Sequence, residues 1–343
     1  MVNVVGQVRE LAATGARRSA KAKAILAQSY LLIVLIAICL VGVAVSPEYF
    51  LTARNLANVV SVAAIYILLA LGQFFVVLTG GIDLSVGSIL ALSTVLSAIT
   101  LRAELGAGAA TTLTLAGCAL AGALNGLLIV WLKLPPFIAT LATMSSIKGA
   151  SYIIQSTELI QIRDAGFIET FATGSIMGVR TPILLAGLAT IVVAMVARYT
   201  TFGRGLYAIG GNTEAARLSG LPVSRNLLIT YTVSGVLAGL AGVMAAAQLR
   251  QGSSLIGVGY ELDAIAAVVI GGASLAGGKG SPLNAVIGVF VLTLIINIMN
   301  LVGISSEPQL VIKGLVIVVA VFLSSAGGVK RISDWLRRAR SGR

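Results

Sequence analysis

Residues 56–78 run for 23 positions without a charged side chain. A helix crossing a bilayer needs about 20 such residues, and inside hydrocarbon a helix satisfies every backbone polar group within its own segment. The pattern repeats along the chain. Ten apolar runs fall at about 30–45, 56–78, 84–101, 107–131, 134–154, 183–198, 227–248, 261–277, 283–302 and 308–326. The expected fold class is all-α: a polytopic membrane helix bundle of about ten transmembrane helices. Composition points the same way. Hydrophobic residues make up 57% and charged residues only 10%, against about a quarter charged in soluble domains. Residues 29–327 are expected to form one transmembrane domain between basic cytoplasmic tails at 1–28 and 328–343.

The net charge of +12 belongs to topology and anionic headgroups here, and nucleic acid is not expected as a partner. Arg54, Arg102, Lys148, Arg163, Arg180, Arg250 and Lys313 fall outside or at outer span ends. The rest of the 24 Lys and Arg fall inside if both termini are cytoplasmic, which favours an even number of spans. The basic start is read as a retained tail before the first span, with a cleaved signal peptide as the lesser alternative. There is no histidine, which removes the commonest metal ligand and general base, and no metal site or catalytic group is expected. Cys39 and Cys118 lie inside apolar runs and read as packing residues.

Residues 78–88 (Leu78-Thr-Gly-Gly-Ile-Asp-Leu-Ser-Val-Gly-Ser) place a carboxylate and a glycine pair between two of these runs. An unpaired carboxylate is costly at a membrane boundary. Asp83 is therefore either a solvated turn residue between two spans or part of a broken segment lining a polar path. Gly271-Gly272-Ala-Ser-Leu-Ala echoes Gly80-Gly81-Ile-Asp-Leu-Ser, as broken helices do in transporters with internal repeats. Gly122-x-x-x-Gly126 and Gly235-x-x-x-Gly239 allow close helix contact.

Two connections exceed turn length. Residues 155–182 mix charge with Phe167, Ile168 and Phe171 and are expected as short amphipathic segments on the outer face. In residues 199–226, Gly210 and Gly211 are expected to turn the chain. Asn212 or Thr213 then caps a helix of about two turns carrying Glu214, Ala215, Arg217 and Leu218, and Gly220 and Pro222 stop it. So short a helix is not stable alone, so a partner groove is expected to hold it.

These motifs together resemble the membrane permease of ATP-binding-cassette (ABC) importers, in the ribose-type monosaccharide branch. The matching stretches begin at Phe50 (Phe-Leu-Thr-Ala-Arg-Asn-Leu), Leu78, Asn125 (Asn-Gly-Leu-Leu-Ile), Leu134 (Leu-Pro-Pro-Phe-Ile-Ala-Thr-Leu-Ala-Thr-Met), Thr201 (Thr-Phe-Gly-Arg), Ile209 (Ile-Gly-Gly-Asn-Thr-Glu-Ala-Ala-Arg-Leu-Ser-Gly) and Gly259 (Gly-Tyr-Glu-Leu-Asp-Ala-Ile-Ala-Ala-Val-Val-Ile-Gly-Gly). The resemblance implies a multi-pass bacterial inner-membrane permease working with a second copy or a similar permease, a cytoplasmic ABC ATPase and an extracytoplasmic sugar-binding protein. It also implies that Gly210, Gly211, Asn212, Glu214, Ala215, Arg217, Leu218 and Gly220 form the coupling helix seated in that ATPase. The chain has no phosphate-binding Walker loop. At the nearest approach, 273–280, Ala273 replaces the first glycine and Gly280 the magnesium-binding hydroxyl. ATP and magnesium therefore belong to the partner, and no cofactor or enzymatic activity is expected of this chain.

A neutral sugar path wants hydroxyl and amide groups. Gln73, Phe74, Asp83, Ser85, Asn125, Phe137, Thr140, Thr143, Asn297 and Asn300 are the candidates, each with a helix-packing role as the plainer alternative. Two rivals remain open: a secondary transporter with Asp83 as its ion site, and a branched-chain amino-acid permease of the same superfamily.

Overall fold

The structure is a computed structural model that describes residues 30–156 and 159–324. The two expected tails lie outside those residues. In chain order the helices begin with α1 (Tyr30–Val45), α2 (Ala53–Leu78), α3 (Val86–Arg102), α4 (Gly106–Val130) and α5 (Pro136–Gln155). They continue with α6 (Ala165–Ile168), α7 (Thr181–Tyr199), α8 (Thr201–Gly211), α9 (Thr213–Leu218) and α10 (Val223–Leu249). The last are α11 (Tyr260–Ile270), α12 (Pro282–Leu301) and α13 (Ser306–Ser324). Each expected apolar run has its helix. Among the described residues six of them, α2, α4, α5, α7, α10 and α12, are long and apolar enough to cross a bilayer.

Local chemistry sets the ends. The Thr52 side chain caps α2 by accepting from the Asn55 N–H, and Pro136, Pro182 and Pro282 open α5, α7 and α12, where the missing N–H costs nothing. The eighth expected span is the clearest correction. It stops at Ile270 rather than 277, and its 11 residues reach only about 16 Å, half the hydrocarbon thickness.

Helix α2 runs through the centre, with most of Ala63–Leu78 buried. Helices α4 and α10 cross beside it at their small residues: a Cβ built on Gly235 would stand 2.9 Å from the Gly122 Cα. The two small-residue motifs meet at Gly122 and Gly235, while Gly126 packs on Leu228 and Gly239 on Cys118. With lipid outside, such close packing replaces the hydrophobic effect as the force between helices. Helices α4, α5 and α7 turn large apolar side chains outward, among them Leu120, Ile138 and Leu188.

The 159–180 segment is more ordered than amphipathic pieces alone. Strand β1 (Ile160–Gln161) pairs antiparallel with β4 (Gln251–Gly252), and β2 (Ser175–Ile176) with β3 (Val179–Arg180). Phe167 and Ile168 are buried against Val243, Ala246 and Ala247 of α10, so the segment closes one end of the bundle. Helices α8 and α9 occupy the opposite end. Gly210 and Gly211, expected as a turn, are instead the last residues of α8, and the chain turns at Asn212, which is extended.

Candidate functional site

At its end, α2 closes on a left-handed Gly80 (φ +81°), with Gly80 N–H donating to Val77 O (2.9 Å) and Gly81 N–H to Val76 O (3.1 Å). Only glycine adopts this conformation without strain. The chain then folds back into the bundle. With the Gln73 amide oriented to match donors to acceptors, its nitrogen donates to the Asp83 carbonyl (3.1 Å) and its oxygen accepts the Asp83 N–H (3.2 Å). Asp83 is fully buried, which removes the solvated-turn alternative. Its Oδ1 accepts from the Ser85 N–H (2.9 Å) and Ser85 Oγ (2.6 Å), and its Oδ2 from Ser234 Oγ of α10 (2.9 Å). Ser85 Oγ in turn accepts from Asn125 Nδ2 (2.7 Å), and Asn125 Oδ1 accepts from Thr143. Thr140 Oγ1 lies 3.1 Å from the Ile82 carbonyl. Gln73, Asp83, Ser85, Asn125, Thr140 and Thr143 are thus brought together, in a network that ties the break to α2, α4, α5 and α10.

Sequence reasoning missed Ser234 and Tyr231. The Tyr231 hydroxyl is buried over Gly81, 2.5 Å from where a Cβ on that residue would stand, with no hydrogen-bond partner among the described residues. Both sit about 150 positions downstream of the break in an ordinary apolar helix (Ser234 donates to Asp83 across 151 positions), so nothing local announces them.

The other candidates lie apart from this network. Phe74 is buried in the α2 core, where its ring meets Gly280 and Phe75. Phe137 is exposed at the start of α5. Asn297 exchanges two hydrogen bonds with Asn55 (2.8 and 3.0 Å), clasping α12 to α2. Asn300 accepts from Gln309 (2.8 Å) at the α12–α13 turn.

A second break ends α11 with the same hydrogen bonds. Gly272 (φ +84°) donates to Val269 O (2.8 Å) and Ala273 to Val268 O (3.1 Å). Gly272 therefore matches Gly80, one position later than the sequence echo suggested. Both breaks meet under α8. The Gly278 N–H donates to the Leu78 carbonyl (2.9 Å), and a Cβ on Gly277 would lie 2.9 Å from both Gly210 Cα and the Gly80 nitrogen. Gly210 itself packs on Leu78 O and Gly278 N with no room for a side chain. Tyr207 of α8 donates to Gly280 O (3.0 Å). Burial pushes its hydroxyl up from its ordinary pKa.

From this junction α9 projects outward. Asn212 Oδ1 caps it by accepting from the Ala215 N–H (2.9 Å), and Gly220 (φ +80°) ends it. Only Ala216 is buried. Glu214 and Arg217 form an exposed ion pair (2.7 Å), and Leu218 is 81% exposed.

Ionisable groups also sit deep along the helices. Lys313, assigned to an outer span end, lies inside α13 and pairs with the buried Asp263 of α11 (2.9 Å). Lys148, assigned likewise, lies within α5, and Glu261 stands in the first turn of α11. No cluster of three potential metal ligands occurs among the described residues.

A family profile described as "Branched-chain amino acid transport system / permease component" matches residues 55–321. The chain belongs to this family. The matched span takes in both breaks, the Asp83 network and α9. Within the family the chain is 38% identical over 309 residues to the ribose import permease protein RbsC of Escherichia coli K12, covering 88% of this chain and 95% of that protein. It is 38% identical over 280 residues to the D-allose transport system permease protein AlsC of the same strain (81% and 85% covered). It is 36% identical over 294 residues to that strain's L-arabinose transport system permease protein AraH (85% and 89% covered). No solved structure matches the chain. This permease is a multi-pass membrane subunit of an ABC importer, of the ribose branch, and a transport component rather than an enzyme.

Proposed function

We propose that this permease is the gate of an ATP-driven monosaccharide importer, worked from the cytoplasm by a separate ATPase that carries ATP and magnesium. The observation that carries the reading is the junction at Gly210, where the root of an exposed two-turn helix rests on both broken segments at once. Force applied to α9 reaches both breaks through backbone contacts, which have no side-chain play. The Asp83 network makes the first break one stiff unit, so a push shifts it between two packings as a rigid body. Helix α9 then faces the cytoplasm, as do both termini, and the β1–β4 end faces the binding protein. The substrate class in this reading is a monosaccharide, which is supported by relatives named for ribose, D-allose and L-arabinose import.

The sugar path runs along α5 and the start of α11. Lys148 and Glu261 are only partly buried there, beside exposed Ser145 and Tyr152. Ionisable groups at that depth are costly against lipid and mark a hydrated path. A second permease copy closes that path from the other side.

The test is reconstitution. Vesicles holding this subunit, its neighbouring ATPase and its binding protein should accumulate labelled ribose, allose or arabinose only with internal ATP. Accumulation by this subunit alone, driven by an ion gradient, would favour the secondary-transporter reading with Asp83 as ion site. Uptake of leucine in place of sugar would favour the amino-acid reading that the family description names.

A further inference from the structure

A groove of about 720 Å³ opens where the end of α7 meets α8 and the start of α12. Arg198 and Arg204 line its rim. Arg198 stands 5.4 Å over the Tyr199 ring, and Arg204 Nη1 donates to the Tyr199 carbonyl (3.2 Å). Neither guanidinium meets a carboxylate among the described residues. The wall below is apolar, with Ile191, Met195 and Leu283 exposed along it. Ile191 precedes Arg198 by two turns, about 10 Å along a membrane-spanning helix.

The charged rim and the apolar wall must be explained together. A soluble anion needs only the rim. A protein docking on α9 from the aqueous side does not reach Ile191. A membrane lipid with an anionic headgroup satisfies both halves: its phosphate accepts from the two guanidiniums, and an acyl chain lies along Ile191, Met195 and Leu283. We propose that this groove is a binding site for an anionic phospholipid. Basic pockets between transmembrane helices suit such headgroups. The site also touches the moving parts, because Tyr207 lines the groove and donates to Gly280 in the second break. A bound lipid therefore braces α8 just before Gly210. The assignment does not depend on which solute is carried.

The full chain in detergent is titrated with phosphatidylglycerol and with phosphatidylcholine of the same chain length, and bound lipid is counted by native mass spectrometry. Phosphatidylglycerol should bind about tenfold tighter or more, given two unneutralised arginines. Arg198→Gln with Arg204→Gln should erase that preference while the thermal unfolding curve stays in place. Ala194→Trp, which fills the wall and leaves the rim intact, should weaken both lipids. Inorganic phosphate should not displace bound phosphatidylglycerol. A preference that survives the double arginine change overturns the proposal, as does unaltered lipid binding by Ala194→Trp. Complete displacement by inorganic phosphate would mean a free-anion site and overturns it too.

Discussion

Gly210, the penultimate residue of α8, lies directly on the carbonyl of Leu78, the last residue of α2. The Gly278 N–H donates to the same carbonyl (2.9 Å), so one oxygen joins the root of the exposed helix to both breaks. Each break is left to tight turns because glycine ends its helix, and those turns bring three backbones within contact. A side chain anywhere in the junction would hold them apart.

Gly210→Ala is expected to lower ATP-driven uptake at least tenfold and to lower the unfolding temperature, because its Cβ meets backbone atoms that cannot turn aside. Gly211→Ala is the control. Nothing lies within 4 Å of its Cβ position, and alanine is favoured over glycine in a helix by about 1 kcal/mol. Uptake into vesicles and thermal unfolding of the purified complex read both variants. Equal behaviour of the two would remove the junction from the mechanism.

Glu214→Lys combined with Arg217→Glu keeps an ion pair on α9 and reverses the charge pattern it shows to a partner. Both side chains are largely exposed, and such helix pairs contribute only about 0.3–0.5 kcal/mol. The fold should be unchanged, while uptake falls about tenfold and ATP hydrolysis by the partner continues. Normal coupling in this variant would take the docking role away from α9.

Asp83→Ala leaves the Ser85 N–H, Ser85 Oγ and Ser234 Oγ without their acceptor. Each orphaned buried donor costs about 1–3 kcal/mol, so a loss of roughly 3 kcal/mol or more is expected on chemical unfolding in detergent. Asp83→Asn keeps one acceptor oxygen and should lose less than half as much. If the two substitutions cost the same, charge rather than hydrogen bonding holds the break.

Asn55→Ala and Asn297→Ala should each destabilise modestly, and a double-mutant cycle should give a coupling of about 0.6–1.7 kcal/mol, the range for hydrogen bonds between membrane helices. The sugar concentration for half-maximal uptake should not move. A shift in that concentration with Asn297→Ala alone would return Asn297 to the path.

The sequence by itself determined the class of fold and the punctuation of the chain. Apolar runs longer than a bilayer leave a helix little alternative, and Asn212, Gly220 and Pro222 mark the ends of α9 by chemistry confined to a few neighbouring residues. The first break was legible as a glycine pair; the second showed only as an echo of it, off by one in register, because the expected span 261–277 ran through Gly271 and Gly272. Only the tertiary structure decided what those features meet. That Asp83 is buried depends on Ser234 and Asn125, and that Asn297 is a clasp depends on Asn55, 242 positions away. That Lys313 is paired inside the bundle depends on Asp263, 50 positions away. A local pattern records the backbone's own preferences, whereas a polar side chain inside a bundle takes its role from whichever distant helix brings the complementary atom within 3 Å.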